Sequence, residues 1–75
     1  MSQWNVVLHM TSGKSHELSP KTVENADRQY EDIRHHVFNR DSVPLTSMTC
    51  QTPEGGKVTF HPRDVQSITL EEWNV

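Results

Sequence analysis

Trp4-Asn5-Val6-Val7-Leu8-His9-Met10-Thr11 opens a stretch that runs through Ser12-Gly13-Lys14 to Leu18-Ser19-Pro20, and its reading decides the fold. Trp4, Val6, Leu8 and Met10 alternate with Asn5, Val7, His9 and Thr11, the period of two that marks a strand with one buried face. Ser12-Gly13-Lys14 then turns the chain back. A three-residue loop there, with glycine in the left-handed position, pairs Leu8 with Leu18 and Met10 with His16. A two-residue loop would send Leu18 to the opposite face beside His9, so burial favours the longer turn.

Ser19-Pro20 carries the signature of a helix start. The serine oxygen can accept a free amide hydrogen as N-cap, and proline at the first helical position has no N–H to leave unpaired. Val23, Ala26, Tyr30, Ile33 and Val37 follow at spacings of three and four and form one apolar stripe. Glu24, Asp27, Arg28, Glu31, Asp32 and Arg34 take the other sides, with Glu24 and Arg28 placed as an i,i+4 pair. His35 and His36 fall in the last turn, where positive charge suits the carbonyl end, and Asn39 is expected to stop the helix. A helix over 20–38 is therefore predicted to lie along a sheet.

Val43-Pro44 returns the chain to extended form. Leu45 to Thr52 is a threonine-rich strand with Met48 and Cys50 on one face, and Pro53-Glu54-Gly55-Gly56 is a turn. Val58 and Phe60 alternate with Thr59 and His61, so a second hairpin is expected. Pro62-Arg63-Asp64 interrupts it, and Ile68 and Leu70 introduce a last strand ending in Glu71-Glu72-Trp73. The expected fold is α+β, an antiparallel sheet of four to five strands with one amphipathic helix, in the order β-β-α-β-β-β, as a single small domain over 1–75.

At an offset of forty-two, Gly13, Leu18, Pro20, Lys21 and Val23 face Gly55, Phe60, Pro62, Arg63 and Val65. The echo fits shared hairpin architecture better than duplication. The second copy, Gly55 to Ile68, resembles a segment common in small bacterial and phage β-rich proteins. That resemblance spans about a fifth of the chain and implies no activity.

Leu, Ile, Val and Phe number 16 of 75 residues, near the lower limit for folding, but a net charge of −3 is too small to hold the chain open. Cores of this size supply roughly 3–5 kcal/mol, and Cys50, the only cysteine, allows no internal disulfide. Self-association or a binding partner is the expected support. The opening residues carry no basic run and the first apolar stretch ends at His9, so no signal peptide is expected. No window approaches a membrane span, and a lone thiol suits a reducing compartment; the cytoplasm is the expected location.

No glycine loop leads into a helix that would hold a phosphate. Cys50 beside Met48 in a hairpin strand fits a small buried hydrophobe rather than a nucleophile. Five histidines stand out: His35 and His36 diverge by about 100° on a helix, whereas His9 or His16 could meet His61 at a metal if the hairpins are adjacent. The plainer expectation is that they serve the helix end and exposed strand positions, with no cofactor. Lys14, Lys21, Lys57 and Arg63 would form a basic rim if both hairpin turns lay at one end of the sheet, the footprint of a nucleic-acid-associated regulator. Trp4 and Trp73, with Leu45 and Ile68 on candidate edge strands, are the candidate interface. No nucleophile, base and orienting group can be named together. The expectation is a non-catalytic protein-interaction or assembly module, self-associating or accessory to a larger bacterial or phage protein. A nucleic-acid regulator and a histidine-based metal binder are the alternatives.

Overall fold

A computed structural model describes residues 2–38 and 47–73. The chain forms strand β1 (Gln3–Met10), strand β2 (Ser15–Glu17), helix α1 (Val23–Phe38), strands β3 (Met48–Gln51) and β4 (Lys57–Phe60), one 3-10 turn (Pro62–Asp64) and strand β5 (Val65–Trp73). The class is α+β with one described helix. The strands do not make the single sheet expected: β2-β1-β5 form one antiparallel sheet, and β3-β4 pair separately. The 3-10 turn also separates β4 from the last strand.

Ser19-Pro20 explains the division. Pro20 has no N–H and cannot extend the β2 ladder. What joins the hairpins is Ser19, whose N–H donates to the Gln51 carbonyl at 2.9 Å and whose hydroxyl donates to the Thr52 carbonyl at 2.8 Å. With that hydroxyl engaged, Ser19 is not the N-cap. Lys21 exchanges backbone bonds with Trp4 at 2.8 and 2.9 Å, which keeps 20–21 extended and delays the helix to Val23. Thr22 caps it instead, its hydroxyl accepting from the Asn25 N–H at 3.4 Å and its carbonyl from Ala26 at 2.9 Å.

The first hairpin has its three-residue loop, but at Thr11-Ser12-Gly13, one residue earlier than expected. Leu8 therefore faces His16, and Leu18 sits at the level of Val6, whose carbonyl accepts its N–H at 3.0 Å. The shift is by two residues in pairing, so Leu8 and Leu18 still share a face. Gly13, at φ 91°, donates to the Met10 carbonyl, and Met10 N–H reaches the Lys14 carbonyl at 2.8 Å. Gly55, at φ 89°, repeats this between Thr52 and Gly56. The echo at forty-two is thus the same loop used twice. The copies part after it: Pro20 stays extended, while Pro62 begins the 3-10 turn.

Val6, Leu8, Met10 and Ile68 face α1, and with Leu18, Ile33, Val37, Phe60 and Val65 they make the core. Tyr30, Met48, Cys50, Val58 and Leu70 close its margins. Ala26, Ile33 and Val37 of the helix stripe are buried, whereas Val23 is exposed. Burial of β1 is not one-sided as its alternation suggested: Asn5 and Val7, on the face away from the helix, are also buried. Central position explains this, because Val7 lies between Glu17 and Thr69, and Asn5 Nδ2 donates to the Leu18 carbonyl at 3.2 Å. Between His9 and Met10 the register with β5 slips, leaving Gln66 as a bulged residue, and Thr11 N–H donates to the Asp64 carbonyl at 2.9 Å.

Candidate functional site

The parity of β1 determines what β5 offers to a partner. Trp4, Val6 and Met10 direct their backbone groups toward β2 and its continuation: Trp4 to Lys21, Val6 to Leu18, Met10 to Lys14. The odd residues therefore point to β5, where Gln3, Asn5, Val7 and His9 oppose Trp73, Glu71, Thr69 and Ser67. The N–H and C=O groups of Ile68, Leu70 and Glu72 are turned to the other side. No described strand pairs with that side. β5 is nine residues long, so an extended row of backbone donors and acceptors lines one edge of the molecule.

The expected interface residues distribute unevenly around this edge. Trp4 and Trp73 are both half-buried at the Gln3 end of the sheet. They lie on opposite faces, because Trp4 is level with Glu72 and Trp73 with Gln3. Leu70 is half-buried on the helix face against the core, beside Val6. Ile68 is 7% exposed and belongs to the core, so its side chain contributes no surface, only its outward backbone groups. Leu45 lies outside the described residues.

The basic residues do not gather in one rim. Lys14 is level with Met10 and Lys21 with Trp4, opposite ends of β1 and about 20 Å apart at the strand rise of roughly 3.3 Å per residue. Arg63 follows the Thr11 end through its neighbour Asp64, and Lys57 pairs with Gln51 in the second hairpin. Lys14 and Lys21, at opposite ends of β1, keep the four from sharing one rim.

His61 and His36 serve local roles. His61 Nδ1 accepts the Arg63 N–H at 3.3 Å and caps the 3-10 turn. His36 Nδ1 lies 2.8 Å from the Asp32 carbonyl and 3.9 Å from its carboxylate in the last helical turns. His9 and His16 occupy opposite faces, since His9 is level with Ser15 and His16 with Leu8. No group of three or more His, Cys, Asp or Glu among the described residues is placed to hold a metal ion.

His9 instead centres a hydrogen-bonded chain on the outer face that sequence reasoning missed. Its Nε2 lies 3.2 Å from Thr69 Oγ1, its Nδ1 lies 3.3 Å from Ser15 Oγ, and the Thr69 hydroxyl donates to Glu71 Oε2 at 2.7 Å. Thr69 spends its one proton on the carboxylate, so it must accept from His9 Nε2–H. The Nε2–H is therefore the donor to Thr69, and Nδ1 meets the Ser15 hydroxyl. The chain crosses all three strands, from Ser15 through His9 and Thr69 to Glu71. Chemically it fixes the imidazole and ties β2, β1 and β5 together. Neither link was legible from hairpin spacing: the expected loop opposed His9 to Glu17, and the link to Thr69 needs the β1–β5 register.

Cys50 is half-buried against the core margin. Burial pushes its thiol above the ordinary 9.0; Lys21 opposes this and Asp32 adds to it. The thiol form is favoured at neutral pH, the reverse of what a nucleophile needs. No described helix is long and apolar enough to cross a membrane. Comparison with protein-family models, with curated proteins and with solved structures finds no match.

Proposed function

We propose that this chain is a small protein-interaction or assembly module without catalytic activity, and that it works by strand addition at the outer edge of β5. The observation that carries the proposal is the row of outward backbone groups at Ile68, Leu70 and Glu72 on a strand paired only with β1 among the described elements. Strand addition takes affinity from main-chain hydrogen bonds and specificity from alternate side chains. Leu70 on the helix face and Trp73 on the outer face supply those side chains. A thin core adds motive, because a strand laid on this edge would bury the half-exposed Leu70 beside it.

Glu72→Pro tests the proposal selectively. The Glu72 N–H points away from β1, so proline there removes an edge donor without removing a ladder bond. The expected outcome, read by light scattering from micromolar to millimolar protein, is a mass above 8.7 kDa for the natural chain and a constant 8.7 kDa for Glu72→Pro, with similar melting temperatures. Association of Glu72→Pro equal to that of the natural chain would rule out the β5 edge.

A further inference from the structure

Resting on that reading of the edge, the geometry points to a second copy of this chain as the strand that β5 receives, antiparallel about a two-fold axis at Leu70. The bulge at Gln66 interrupts the ladder between Val65 and Ser67 and leaves Ser67 to Trp73 as the uninterrupted edge. Leu70 is the middle of those seven residues. A two-fold there opposes Leu70 to Leu70, Ile68 to Glu72, Thr69 to Glu71 and Ser67 to Trp73 of the second copy. Every residue of the regular segment then has a partner.

Three further conditions select this register. Outward groups must meet outward groups, and Ile68–Glu72 and Leu70–Leu70 are pairs of outward residues. A two-fold at Ile68 would set Glu72 against Asp64, and one at Glu72 would set it against itself, both like-charge pairs that disfavour the contact. A two-fold at Thr69 satisfies parity but lays Glu72 and Trp73 against the bulged Gln66 and Val65, where the ladder is irregular. The axis at Leu70 has no like charges directly opposed, and it places two half-buried leucines side by side at the margin of both cores. The product is one continuous sheet in the order β2-β1-β5-β5-β1-β2.

The test mixes two variants in a Cys50→Ser background, Thr69→Cys and Glu71→Cys, and oxidises them under mild conditions. In the proposed register these two positions form a non-hydrogen-bonded pair across the axis, the closest approach in an antiparallel ladder. The expected result is a disulfide between unlike chains in several-fold excess over either like-chain product, together with a concentration-dependent dimer mass for the natural chain by light scattering. A dominant Thr69→Cys homodisulfide would move the axis to Thr69 and overturn the register. A natural chain that stays at 8.7 kDa to millimolar concentration would overturn the second copy as partner. In that case fast exchange of the outward β5 amides would keep the edge available to a different protein, whereas protected outward amides in the monomer would remove the edge reading as well.

Discussion

Gly55 and Gly56 are adjacent in one turn and differ in what they require. Gly55 has φ 89° with open space around a would-be Cβ, whereas Gly56 needs no positive φ and a Cβ there would meet only Thr52 Oγ1 at 3.4 Å. Gly55→Ala should cost about 1–2 kcal/mol from backbone strain alone, and Gly56→Ala should be near neutral, as urea midpoints will report. Equal losses would mean that the turn is assigned to the wrong glycine. Cys50 gives a pH-dependent expectation. Its unfolded thiol titrates near 9.0 and its folded thiol higher, so its contribution to stability is complete below pH 9 and is lost as pH rises toward the folded value. Cys50→Ala should lower stability at neutral pH yet flatten the decline between about pH 8 and 10. An identical alkaline decline in the variant would contradict the burial of the thiol. The sequence position beside Met48 made that burial legible; the opposing Lys21 and Asp32 were not, because they come from elements distant in the chain.

Among the elements, α1 shows where local signals yield to tertiary ones. Its apolar stripe was readable from spacing, and Ala26, Ile33 and Val37 are buried. Its start was not, because Ser19-Pro20 satisfies every local rule for a cap while the structure uses Ser19 to hold the second hairpin and Lys21 to extend the sheet. Similar reasoning covers the first hairpin: Thr11-Ser12-Gly13 and Ser12-Gly13-Lys14 both place glycine in a three-residue loop, and only the full set of backbone bonds separates them. Ile68 belongs to the same lesson. Alternation identified it as one face of a strand, but period two cannot say whether that face meets a helix or solvent. Gln29 offers a test on α1, since its Oε1 is buried with no hydrogen-bond partner. Gln29→Met removes the unpaired oxygen at similar length and should raise stability by about 1 kcal/mol in denaturant unfolding. A loss of that size would show that the oxygen has a partner in the folded protein.

At the scale of the whole molecule, two antiparallel sheets share one core beneath a single described helix, and the joints between them are few. Ser19 links the hairpins, Asp64 ties the 3-10 turn to the first loop, and the His9 chain spans the larger sheet. The strand inventory and α+β class were legible because each strand carries its own period and each turn its own glycine or proline. The division into two sheets and the side of β5 that no described strand pairs were not, since strand partners are set by contacts across the chain. That side is the centre of the proposed function. The most direct measurement is amide hydrogen exchange along β5 in dilute and concentrated protein. Ser67, Thr69, Glu71 and Trp73, bonded to β1, should be protected throughout. Ile68, Leu70 and Glu72 should exchange fast when dilute and become protected as the chain associates. Protection of all seven amides in the dilute monomer would contradict an open edge, and with it the assembly role assigned to this strand.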